Sequence, residues 1–91
     1  MKNYVGKTYR VRLRLYDEND LPRIGTGVYC SITPPRGAKI TIPATRITNT
    51  EPGTYAFLYN PVEHGNYLFV WYETIGGVST LADKESLSMA K

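Results

Sequence analysis

Few side chains in this 91-residue sequence combine into groups able to do covalent chemistry. The single histidine, His64, lies beside Gly65 in a turn. As a general base it would need a nucleophile and an orienting partner, and no residue is singled out for either role. The single cysteine, Cys30, alternates in phase with Val28 and Ile32, which predicts a buried small hydrophobe rather than a reactive thiol. One cysteine also excludes an internal disulfide and a multi-cysteine zinc site. Asp17, Asn19 and Asp20 offer oxygens of the kind calcium takes, but their spacing lacks the distal glutamate and central glycine of an EF-hand loop. Short polar side chains in such a cluster bond their own backbone, so turn chemistry is the expected role. Gly25-Thr26-Gly27 precedes a strand rather than a helix and is no phosphate-cradling loop. The expectation is a protein that is not an enzyme, with no catalytic residues, no metal and no cofactor.

The strongest polar feature is Arg10, Arg12 and Arg14, alternating with Val11 and Leu13. On a strand, alternate side chains share a face about 7 Å apart, so three guanidiniums form a linear positive comb. Phosphates, an acidic protein surface and acidic side chains across a sheet all fit such a comb, as does protection of an edge strand. No aromatic residue interleaves on that face before Tyr16, which counts against a nucleic-acid stacking platform. The wider charge pattern agrees with the comb. Residues 1–46 hold nine Lys or Arg and three acids, whereas residues 47–91 hold two Lys and five acids. Such asymmetry fits a basic surface for nucleic acid or for an acidic partner, contact between the basic part of one copy and the acidic part of another, or simply a solvated surface whose charges keep the protein in solution.

The elements that position these residues are strands. Period-2 alternation predicts strands over residues 9–16, 27–33, 39–42, 45–48, 53–59 and 65–74. A last strand is expected over 78–81, resuming at 86–89 after Asp83-Lys84-Glu85. Tyr9, Val11, Leu13, Leu15, Val28, Cys30, Ile32, Tyr55, Phe57, Tyr59, Tyr67, Phe69 and Trp71 fall on inward faces. A strand with one wet face should carry polar residues there, yet residues 65–74 place Leu68, Val70 and Tyr72 opposite the core, and residues 53–59 place Leu58 there. Leu58, Leu68, Val70 and Tyr72 are therefore expected to form an apolar patch covered by another subunit. About seven short strands in one small domain indicate an all-β, antiparallel protein of two sheets. Its expected division is an N-terminal arm, 1–7, and one domain, 8–91.

The run Gly53-x-Tyr55-x-Phe57-x-Tyr59-x-Pro61-x-Glu63-x-Gly65-x-Tyr67-x-Phe69-x-Trp71 resembles a stretch of immunoglobulin-like β-sandwiches of the filamin and bacterial type. The segment Val28-Tyr29-Cys30-Ser31-Ile32-Thr33-Pro34-Pro35-Arg36-Gly37 is similar to their V-x-V-x-x-P-x-G. The likeness spans residues 8–89 and lacks the Cys…Trp…Cys spacing of antibody domains. Single-domain proteins similar to it are structural components of tailed bacteriophages. The resemblance thus implies a virion protein, for capsid decoration, neck or tail, present in many copies. It would dock on other virion proteins through Arg10, Arg12 and Arg14 and the apolar face. Neither nucleic acid nor a membrane is expected as partner, and residues 1–6 carry no secretory signal. The competing expectation is a carbohydrate-binding or adhesion module that stacks sugars on Tyr4, Tyr29 or Tyr72.

Overall fold

The computed structural model describes residues 3–91. Among them run eight strands: β1 (Asn3–Tyr4), β2 (Tyr9–Arg14), β3 (Tyr29–Thr33), β4 (Ile40–Ile42), β5 (Thr48–Glu51), β6 (Thr54–Tyr59), β7 (Gly65–Ile75) and β8 (Val78–Ala90). They form two sheets, of order β1-β8-β7-β3-β4 and β2-β6-β5, with every pairing antiparallel except that of β1 with β8. The chain is all-β, and no helix among the described residues is long and apolar enough to cross a membrane.

One core joins the sheets. Val11 and Leu13 of β2 and Tyr55 and Phe57 of β6 close on Cys30 and Ile32 of β3 and on Tyr67, Phe69 and Trp71 of β7. Each of these is under 9% exposed, as alternation predicts for the inward positions. Aromatic edges bridge the layers: Phe57 meets Trp71 at 5.4 Å between ring centroids and Tyr59 meets Phe69 edge-on at 5.9 Å. Such pairs add about 1 kcal/mol each to the gain from burial.

Four departures from the sequence pattern have local causes. Pro43 opens a single 3-10 turn, Ala44–Arg46, so the strand expected over 45–48 begins three residues later, at Thr48. The strand expected over 9–16 ends at Arg14, because the Leu15 carbonyl accepts from the Arg23 N–H and Tyr16 bridges Pro22, both drawing the chain away from β6. Asp83-Lys84-Glu85 does not interrupt β8, which pairs with β7 along its length. The register shifts once, with Trp71 opposite Asp83 and Tyr72 opposite Leu81, so Ala82 is the extra residue of a bulge. Residues 3 and 4, placed by the sequence in an arm, lie parallel to β8 opposite Met89 and Ala90. The tight β7–β8 link is made by Gly76 and Gly77, whose φ values of 58° and 78° suit a two-residue hairpin turn.

Candidate functional site

The outer face of β2-β6-β5 is built from the comb outward. Arg10, Arg12 and Arg14 stand opposite Leu58, Ala56 and Thr54 of β6, and Thr48 of β5 flanks Ala56 on the other side. All three arginines are exposed, while Ala56 and Thr54 beneath them are buried. Long guanidinium stems covering small side chains explain that contrast. The 3-10 turn brings a fourth arginine, Arg46, to the same face. With Arg10, Thr48, Thr50, Ala56 and Leu58 it lines an open groove of about 380 Å³. Among the described residues the ion pairs are Arg23–Glu73 and Arg36–Glu63, and neither engages Arg10, Arg12, Arg14 or Arg46. The face is thus predominantly cationic, with hydroxyls between the arginines and Glu51 of β5 across Thr54 from Arg14, and its excess positive charge suits an anionic surface. Arg46 was missed in the sequence because its segment reads there as a short strand, 45–48, to which no face is assigned.

The outer face of the larger sheet carries Leu68, Val70 and Tyr72 of β7, all half-buried. Their cover is largely their own neighbours. Leu68 lies between Thr33 and Ser86, Val70 between Ser31 and Lys84, and Tyr72 between Tyr29 and Leu81. Tyr72 stacks on Tyr29 at 5.1 Å with an 18° tilt, and the Tyr29 hydroxyl meets Ser79 Oγ at 2.6 Å. These two rings are therefore engaged with each other. Ser31 Oγ, between Val70 and Thr41, is buried without a hydrogen-bond partner. Leu58, 62% exposed, is not part of this face. It belongs to β6, in the other sheet, where it neighbours Arg10. The four apolar residues expected to form one patch are thus split between opposite sides, because β6 and β7, consecutive in sequence, sit in different layers. The β7–β8 hairpin adds Ile75, Val78 and Leu81, each more than half exposed.

The polar groups that are well buried do structural work. Glu73, in phase with Trp71 on β7, is 4% exposed and held by Arg23 through two hydrogen bonds of 2.9 Å. The Arg23 hydrogen bonds hold its carboxyl pKa below the ordinary value against the opposing effect of burial. The Arg23 guanidinium is raised in turn by the same bond. Gly25 lies so close above the pair that a β-carbon there would come within 2.9 Å of Glu73 Oε1 and 2.6 Å of Leu15. Alternation alone signals Glu73: a carboxylate on a core face requires a cation. Cys30 is fully buried, and burial pushes its thiol up to about 12. Asp17 Oδ1 accepts from the Asn19 and Leu21 N–H groups at 2.8 and 3.0 Å, and Asp20 adopts φ 61°. The carboxylate cluster thereby holds its own turn. His64 is exposed in the turn before β7. Among the described residues no three His, Cys, Asp or Glu side chains gather into a cation cage.

Comparison with known protein families, with curated proteins and with solved structures returns no match to this chain.

Proposed function

We propose that this chain is a non-enzymatic, immunoglobulin-like β-sandwich that serves as a structural subunit of a tailed-phage particle. The observation that carries a docking role is the face bearing Arg10, Arg12, Arg14 and Arg46, four exposed cations that form no ion pair among the described residues and outnumber the carboxylate of Glu51 on the same face. Uncompensated charge of one sign repels itself and is relieved by a surface of the opposite sign.

Two features support the immunoglobulin-like reading. Such sandwiches place their second, fourth and fifth strands in one sheet and their third, sixth and seventh in the other. Here β2, β5 and β6 take the first set and β3, β7 and β8 the second, with β4 added beside β3 and β1 lying along β8. The second is the corner before β7. The Tyr67 hydroxyl accepts from the Glu63 N–H at 3.2 Å and donates to the Glu63 carbonyl at 2.9 Å, the tyrosine-corner arrangement of this fold.

Docking on the particle uses both outer faces. The arginine face meets an acidic neighbour, and the face of Leu68, Val70 and Tyr72 meets an apolar one. Because they lie on opposite sides, one copy bridges two neighbours instead of lying flat on one. Many copies acting together make weak single contacts sufficient. The test is immunogold labelling of purified particles from the source lysate with an antibody to this chain. Label at regular positions on the particle supports the reading. Chain found wholly in the unassembled fraction overturns it.

A further inference from the structure

The two sheets are unequal, five strands against three, and the difference leaves a vacancy of defined chemistry. In the smaller sheet β2 pairs, among the described residues, only with β6, so no described strand occupies the other edge of its six residues. That edge lies on the β8 side of the molecule, since the Tyr9 hydroxyl of β2 accepts from the Tyr4 N–H of β1 and donates to the Tyr4 carbonyl. Next to it, the inner face of β8 is roofed only at one end. Met89 is buried and Leu87 half-buried, whereas Asp83 and Glu85 are exposed although they oppose Trp71 and Phe69, which are at most 1% exposed. A fourth strand beside β2 would cover them.

We infer that the β2 edge is a strand-addition site for an extended segment of a partner protein in which acidic and basic residues alternate. Its outward side chains would stand beside Arg10, Arg12 and Arg14 and so are acidic. Its inward side chains would lie over Asp83 and Glu85 and so are basic. Main-chain hydrogen bonds to β2 supply affinity and the alternating charges supply register. The same arginines exclude a second copy of β2, which would set three guanidiniums against three. They also exclude an apolar strand, whose burial would strip them of water without a partner. This inference rests on the docking reading above and specifies how its arginine face is engaged.

The probe is an end-blocked heptapeptide of alternating glutamate and lysine, added to the full chain while amide exchange is followed by NMR. Binding should slow exchange at least tenfold for those Tyr9–Arg14 amides that point away from β6. A peptide of the same composition in shuffled order, and the alternating peptide with a methylated backbone, should bind at least tenfold more weakly. Arg12→Glu should abolish binding, and Asp83→Lys with Glu85→Lys should weaken it at least tenfold, with the chain folded in both cases. Equal binding of the shuffled or methylated peptide would show charge attraction alone and overturn the inference. So would unchanged β2 exchange, or a short DNA duplex that displaces the peptide and protects no β2 amide. Particles labelled by the antibody, combined with unchanged β2 exchange, would remove strand addition and keep docking. Unlabelled particles with a positive peptide result would do the reverse.

Discussion

Glu73 is the residue on which the upper end of the core depends. It shares a strand face with Phe69 and Trp71 and is itself only 4% exposed, so its charge is tolerable only beside Arg23. Arg23→Ala should therefore cost about 2–3 kcal/mol, read as a lowered urea midpoint, because it leaves a buried carboxylate with little besides the Thr26 N–H. Glu73→Gln should cost less, since an amide is cheaper to bury than a charge. The pair also has a pH signature. The Glu73 pKa is lowered in the folded state, so the stability it gives is full above the unfolded value of about 4.3. It is lost as pH falls through the folded value, and the gap between the wild type and Arg23→Ala should narrow in that acidic range. Cys30 gives a simpler test. Fully buried and with its thiol raised to about 12, it should ignore a thiol reagent at pH 8 in the native protein and react once unfolded in urea.

At the scale of elements, tyrosine hydroxyls tie loops to strands. Tyr9, Tyr55 and Tyr67 each grip the N–H and the carbonyl of one loop or edge residue: Tyr4, Gly25 and Glu63 respectively. Each ring lies among the core residues or against them and carries its hydroxyl to the rim, which suits an amphipathic side chain. Removing that oxygen leaves two backbone groups with no partner in the protein. Tyr55→Phe and Tyr67→Phe should each lower stability by about 1–2 kcal/mol in urea titrations, whereas Tyr16→Phe, more than half exposed, should change it by less than about 0.5. The rings' inward placement was legible from alternation, because a strand's period is local. The grip on Gly25 was not, since it joins residues thirty apart through a returning loop. For the same reason the faces of β2, β3, β6 and β7 could be read in advance, while the bulge at Ala82 and the pairing of β1 with β8 could not. Both depend on which strand lies alongside, and a single strand's pattern does not record its neighbour.

The same limit shaped the expectation of a single apolar patch. Alternation shows correctly that Leu58, Leu68, Val70 and Tyr72 point away from the core, but which sheet each belongs to is a property of the whole molecule. Once β6 and β7 lie in different layers, an outward residue on one is opposite to an outward residue on the other. The consequence is functional, because opposed faces cannot contact one flat surface. If both faces dock, their contributions come from different neighbours and should be independent, as for sites that share no partner. Arg12→Glu should leave stability within about 0.5 kcal/mol, since Arg12 is exposed and in no ion pair among the described residues, yet weaken retention on particles in a salt-sensitive way. Val70→Asp should cost about 1–2 kcal/mol, because Val70 is half-buried between Ser31 and Lys84, and weaken retention without changing its salt dependence. Combined, the two losses should multiply, as read from the fraction of chain that stays with sedimented particles over a salt series. A double variant no weaker than the worse single one would mean that the two faces serve one contact, contrary to a subunit bridging two neighbours.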